Sequence, residues 1–250
     1  DVDPGDGVHP TGGADDRGHS DHRQNDGSPL AARLGGDVLG SNSVHFLKRQ
    51  DAMSYSIIQP PFTLKFRDMS ADDLKGYRRW FFESMPPRLV ELQGAVNSDP
   101  NFRTWKPDHS RASIEALGQW LSHQVETRAR TAEEIDRIKG SAAFDFSVPA
   151  EELTNRTFSL AMDAGMYFGE ALRSQYPHLK WDQPLKNKKF ADFGQVVLVG
   201  FGRASLNPVR ILVTYCYGIA SGKQIPKRLD EVYGYWSSLA HAVEGAAKAT

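Results

Sequence analysis

Beyond residue 52 the chain alternates between stretches of strand period and stretches of helical period. Phe62, Leu64 and Phe66 alternate with polar neighbours, which predicts a short strand. Ser70 reads as a helix N-cap, with Asp72 and Asp73 in a first turn where the helix dipole favours acids. Leu74, Tyr77, Phe81 and Met85 follow at helical spacing. Pro86-Pro87 should break this helix and open a second one carrying Leu89, Leu92 and Val96, closed by Asn97-Ser-Asp-Pro100. Ser110 caps the next helix, with Ile114, Leu117, Leu121 and Val125. Thr131-Ala-Glu-Glu134 is a capping-box pattern before Ile135 and Ile138, with a stop at Gly140. The alternation of Phe144, Phe146 and Val148 predicts another short strand. The strongest helical pattern spans 150–176, with Leu153, Leu160, Ala164, Phe168 and Leu172 along one side and Pro177 ending it.

After Pro177 the period changes. Lys180–Lys186 and Gly194–Phe201 read as strands joined by the polar loop Asn187–Asp192, and the run Val196–Val199 is what a strand covered on both faces requires. Asn207-Pro208 starts a helix with Val209, Leu212, Val213, Cys216 and Ile219 in its stripe, and Gly222 ends it. Pro226 opens the last helix, which carries Leu229, Val232, Tyr233, Trp236, Leu239 and Val243. No internal repeat is present. The sum is an α+β fold: a predominantly helical single domain, 53–250, with a small antiparallel sheet.

Composition sets 1–52 apart. This stretch holds nine of the 22 glycines and four of the eight histidines, no Trp or Tyr, and five Lys/Arg against nine Asp/Glu. It cannot bury enough apolar surface to offset chain entropy, so a disordered N-terminal segment is expected, either a native tail or an extension ahead of a natural start at Met53. It has no secretory h-region. Its histidines, at 9, 19, 22 and 45, lie in a Gly-rich tract that cannot hold a fixed metal geometry. The whole chain has a formal net charge of −1, which gives no reason to expect nucleic acid or an anionic membrane as partner. No apolar run approaches the roughly 18 residues of a membrane span. The single cysteine, Cys216, excludes an intrachain disulfide and fits a reducing, cytoplasmic setting.

Two stretches carry a resemblance. One is Tyr77-Arg-Arg-Trp-Phe-Phe-Glu-Ser-Met-Pro-Pro-Arg-Leu89, followed by Trp105 and Ser113-Ile-Glu-Ala-Leu-Gly-Gln-Trp-Leu121. The other is Phe158-Ser-Leu-Ala-Met-Asp-Ala-Gly-Met-Tyr-Phe-Gly-Glu170, followed by Leu179-Lys-Trp181, Val199-Gly-Phe201 and Leu206-Asn-Pro208. Over 55–247 the chain resembles a family of uncharacterised bacterial proteins that begin near the position of Met53. The resemblance implies the domain boundary and no activity. The second half is also similar, at the level of layout, to small domains some of whose relatives are immunity proteins of bacterial toxin systems.

The candidate site is the helix carrying Asp163, Tyr167 and Glu170. At 100° per residue the three fall within about 60° of one another, away from the apolar stripe. Gly165 and Gly169 clear the same helix for close approach of another element. Such a line could take a cationic ligand, a metal or a partner arginine; alternatively Asp163 and Glu170 pair with Arg or Lys from the strand segment and fix its packing. His178 and Trp181 follow directly, and read more simply as a helix-dipole partner and a packing residue. Trp80, Phe81, Phe82, Trp105 and Trp120, with Arg78, Arg79 and Arg88, form either a protein-binding surface that includes Arg79 and Trp80 or an aromatic core with snorkelling arginines. Lys186-Asn-Lys-Lys189 is a small basic turn.

The absences narrow the choice. There is no Walker A loop and no Gly-x-Ser-x-Gly elbow, and Gly200-Phe-Gly202 lacks the rest of a dinucleotide fingerprint. His109, His123, His178 and His241 share no metal spacing, so neither a metal nor a cofactor is expected. Cys216 lies on an apolar stripe, as a buried small hydrophobe does. The expectation is a non-enzymatic protein that binds another protein, as an accessory or immunity-like factor. The rivals are a hydrolase-like enzyme using Asp163, Glu170 and His178 in a cleft, and a self-assembling structural subunit. A concave pocket holding those carboxylates would favour the enzyme.

Overall fold

In a computed structural model the structure describes residues 55–141 and 147–248. The N-terminal segment 1–52, and the strand expected from Phe144 and Phe146, lie outside the described residues. The helices are α1 (Ala71–Ser98), α2 (Arg111–Gln124), α3 (Ala132–Ser141), α4 (Asn155–Gln175), α5 (Pro208–Ala220) and α6 (Arg228–Lys248), with a single 3-10 turn at Pro100–Phe102. The strands are β1 (Thr127–Ala129), β2 (Glu151–Leu153), β3 (Lys180–Asp182), β4 (Val197–Phe201) and β5 (Ala204–Leu206). The fold is thus the expected helical α+β domain, but with two small antiparallel sheets in place of one: β1–β2, and β3–β4–β5.

The caps do what the sequence asks of them. Ser70 accepts from the Asp73 amide and Asp73 reaches back to Ser70; Ser110 accepts from Ser113; Asn207 accepts from Arg210, with Pro208 in the first turn of α5. Thr131 and Glu134 close the capping box of α3 at 2.9 and 3.2 Å. The 150–176 helix starts later than expected, at Asn155. Glu151–Leu153 pairs with β1 instead, and Thr154 caps the helix by accepting from Thr157. The β1–β2 pair is braced by Arg128 on Glu134 and Glu152, 2.7 and 2.8 Å, and by Arg130 on Glu152, 3.0 Å.

One expectation is overturned by α1. Pro86-Pro87 does not divide it: a single 28-residue helix runs through both prolines. A proline φ near −65° suits a helix, though each ring forgoes one amide bond and crowds the carbonyl four residues back. Phe81, Met85, Leu92 and Val96, all buried on one face, hold the turns on either side in line.

Helix α4 is the centre of the body. It packs against α1, α2, α5 and α6, and from Thr157 to Leu172 only Phe158 and Glu170 escape full burial. Gly165 permits its closest approach: a Cβ there would lie 2.7 Å from the Val209 Cα of α5. Gly169 lies against the Trp181 indole and Pro208. One apolar core gathers residues of α2, α4, α5 and α6; a second lies between α1, Met162 and Met166 of α4, and Phe193 and Val196. In the second sheet Trp181 stands opposite Leu198, and Leu198 opposite Leu206.

Candidate functional site

Asp163 is fully buried and bound on both oxygens. Arg88 of α1 donates from Nε to Oδ1 at 2.9 Å and from Nη2 to Oδ2 at 2.6 Å. Tyr55 donates its hydroxyl to Oδ2 and lies 2.7 Å from the Ser159 Oγ. Arg88 also donates to the Ser56 carbonyl at 2.7 Å, and its guanidinium stacks 5.1 Å from the Tyr55 ring centroid. The Ile58 amide donates to Ser159 at 2.8 Å, so the bridge ties segment 55–58 to α1 and α4. Burial pushes the Asp163 carboxyl up from its usual range, against the pull of Arg88 and Tyr55. Burial and the Asp163 charge push the Tyr55 phenol up, keeping it a donor. For Arg88, burial acts to lower the pKa, but its bonds to Asp163 prevail and hold it more firmly protonated.

The other candidates do not join this bridge. The Tyr167 hydroxyl lies 2.5 Å from Ser113 Oγ and accepts from the His109 amide at 2.9 Å. His109 is held at φ 62°, in the left-handed region, one residue before the Ser110 cap. Glu170 turns to the strands: Trp181 Nε1 donates to Oε1 at 2.7 Å, and Arg173 donates at 3.0 and 2.7 Å. Burial works to raise the Glu170 carboxyl, but these bonds overcome it and leave it below its usual range. The expected line of three therefore resolves into three separate polar contacts. The reason is burial: α4 is surrounded by other helices, so its polar residues meet whichever neighbour lies outward of each.

His178 is half-buried beside the Tyr176 ring, 6.2 Å between centroids, and its Nε2 has no hydrogen-bond partner among the described residues. Arg79 is exposed, and Trp80 is half-buried against Phe62 and Tyr77, 6.2 and 5.8 Å between centroids. Phe81, Trp105 and Trp120 are core residues, and Arg78 lies over the Phe82 ring at 5.3 Å. Cys216 is fully buried, and burial pushes its thiol up to about 12. No cluster of three or more His, Cys, Asp or Glu among the described residues is placed to hold a metal. None of their helices is long and apolar enough to cross a membrane.

The concave feature lies elsewhere. A cavity of about 610 Å³ sits beneath segment 57–66, floored by Tyr77 of α1, Ser159 and Met162 of α4, and Val209 and Val213 of α5. None of its lining residues is charged, among the described residues. Sequence reasoning missed it, along with the roles of Tyr55 and Arg88. Five separated segments wall the cavity, and Arg88 and Tyr55 lie 75 and 108 residues from Asp163, so no local pattern announces either. No family model matches this chain, and no curated protein or solved structure matches it either.

Proposed function

We propose that this chain works by binding rather than by bond-making, as an accessory or immunity-like bacterial protein of the cytoplasm whose partner is another protein. The observation that carries this reading is the separation of concavity from carboxylates. The cavity has no charged wall, while Asp163 and Glu170 are each bonded to an arginine and to a further donor elsewhere. Acid–base catalysis needs a titratable group within reach of a substrate's proton, and neither carboxylate lines the cavity.

A partner-facing surface is available on α1. Arg79, Glu83, Pro86 and Val90 recur at helical spacing on its exposed face, with Val90 70 % exposed and Trp80 and Phe82 half-buried at the flanks. Trp and Arg dominate interface hot spots, and an apolar centre with a charged rim suits occlusion of a partner's functional site. The test is capture from the native host with the wild-type chain and with Val90→Asp. A protein retained by the first and lost by the second, at unchanged melting temperature, is expected. Equal capture by both refutes the α1 face. Turnover of an ester or glycoside that disappears in Glu170→Gln refutes the non-enzymatic reading.

A further inference from the structure

We propose that the cavity beneath residues 57–66 binds an uncharged, mainly apolar small molecule bearing one hydrogen-bonding oxygen, seated against the Tyr77 hydroxyl. This goes beyond the protein partner, which meets a different face of the chain. The volume of about 610 Å³ lies within the range of small-molecule sites, roughly 300–1,000 Å³. The walls are mostly aliphatic and aromatic, and among the described residues no lysine, arginine, histidine or carboxylate lines them. The charged groups that bond the wall residues Ser159 and Asn207 are already paired. Arg88 and Asp163 bond to each other, and Asp192 accepts from Asn207 and Arg210, both at 2.8 Å. An ionised ligand head seated on this wall would meet no counter-charge among the described lining residues, which is unfavourable.

Tyr77 supplies the polar contact. It is 5 % exposed and lines the cavity, and its hydroxyl has no hydrogen-bond partner among the described residues. The buried hydroxyls of Tyr55, Tyr167, Tyr215 and Tyr233 are all bonded to protein groups. Burial of Tyr77 pushes its ionisation up, so it remains a donor. A hydroxyl of a cavity-lining residue that bonds no described group is free to meet a ligand's oxygen. The other buried polar side chains of the wall are engaged: Ser159 accepts from Ile58, and Asn207 bonds Asp192 and Gln195 while capping α5. At the mouth, Ile57 and Leu64 are each 41 % exposed, and Leu64 is held at φ 55°, a conformation rare for an L side chain. Both present apolar surface where an apolar ligand would cover it.

The test titrates the full chain with the neutral fluorophore N-phenylnaphthylamine. It then competes the probe with decanol, decanoate and decylammonium at about pH 7.5, where both ionic heads carry full charge. The expected result is saturable one-site binding, with decanol displacing the probe roughly tenfold better than either ion. Tyr77→Phe should weaken decanol about three- to tenfold while leaving the probe unchanged. Met162→Trp should fill the cavity and abolish probe binding with a cooperative melt retained; Val213→Phe fills it from α5 should Met162→Trp fail to fold. The proposal is overturned by absence of saturable binding, by equal displacement by all three head groups, by a Tyr77→Phe chain that binds decanol normally, or by a folded filling variant that still binds the probe.

Discussion

Asp163 is wholly out of water, with a guanidinium along both oxygens and a phenol on one. Bringing two charges into such a place is unfavourable, and their attraction offsets the loss only while both are present. Asp163→Asn keeps the shape but leaves the Arg88 charge uncompensated. It should cost about 3–5 kcal/mol in urea denaturation. The double variant Arg88→Met/Asp163→Leu should recover most of that loss, because it removes the charge along with its partner. A single variant as stable as wild type would mean that the bridge holds nothing together. Cys216 makes a second residue-scale prediction. With its thiol pushed up to about 12 by burial, it carries almost no thiolate near neutrality. Titration with a chromogenic disulfide should therefore find it unreactive in the native chain and fully reactive in denaturant.

Between elements, space decides. The approach of α5 to α4 depends on the missing Cβ of Gly165, 2.7 Å from the Val209 Cα. Neither backbone can yield without moving a helix. Gly165→Ala should destabilise by about 1–3 kcal/mol in chemical denaturation, as overpacked cores do. Gly94 provides the contrast. It is exposed within α1, and a Cβ there meets nothing within 4 Å. Gly94→Ala should stabilise by roughly 0.5–1 kcal/mol, because alanine loses less backbone freedom in a helix. Opposite signs for the same substitution separate packing from propensity. The run of α1 through Pro86-Pro87 teaches the same lesson: buried residues on both sides of the prolines outweigh the local preference to stop.

For the molecule as a whole, acid is the expected route to unfolding. In Glu170 the Arg173 and Trp181 bonds outweigh burial, and in Asp230 the Arg111 bond does, so both carboxyls fall below their ordinary values of 4.5 and 3.8. A lowered carboxyl stabilises the fold above its unfolded pKa and ceases to as pH falls through its folded pKa. The melting temperature should hold near neutrality and fall below about pH 4.5, the upper edge of ordinary carboxylate titration. Glu170→Gln should melt lower than wild type at neutral pH and converge with it in acid. Asp163 does not share this behaviour, because burial raises its carboxyl instead of lowering it. A gap between wild type and Glu170→Gln that persists unchanged in acid would show that the Glu170 charge is not what stabilises.

The elements were legible in the chain because their causes are local. Ser70, Ser110, Thr131 with Glu134, and Asn207 with Pro208 each act on amides within three or four residues, and the apolar period of each helix repeats within its own length. Gly165 and Gly169 likewise announced a close contact on α4, though not with what. The short polar strand β1 gave no period to read, and its pairing depends on a partner 24 residues away. The sites were less legible. The sequence placed Asp163, Tyr167 and Glu170 on one side of a helix, which they occupy, but a helix wheel does not say what packs against that side. With α4 enclosed, Asp163 meets Arg88 and Tyr55, Tyr167 meets Ser113 and His109, and Glu170 meets Trp181 and Arg173. Only the folded chain decided those partners, and only it brought segment 57–66 together with α1, α4 and α5 to leave a cavity that Tyr77 lines. Capping and periodicity act over a turn or two of backbone; burial and pairing depend on segments that meet only when the whole chain has folded.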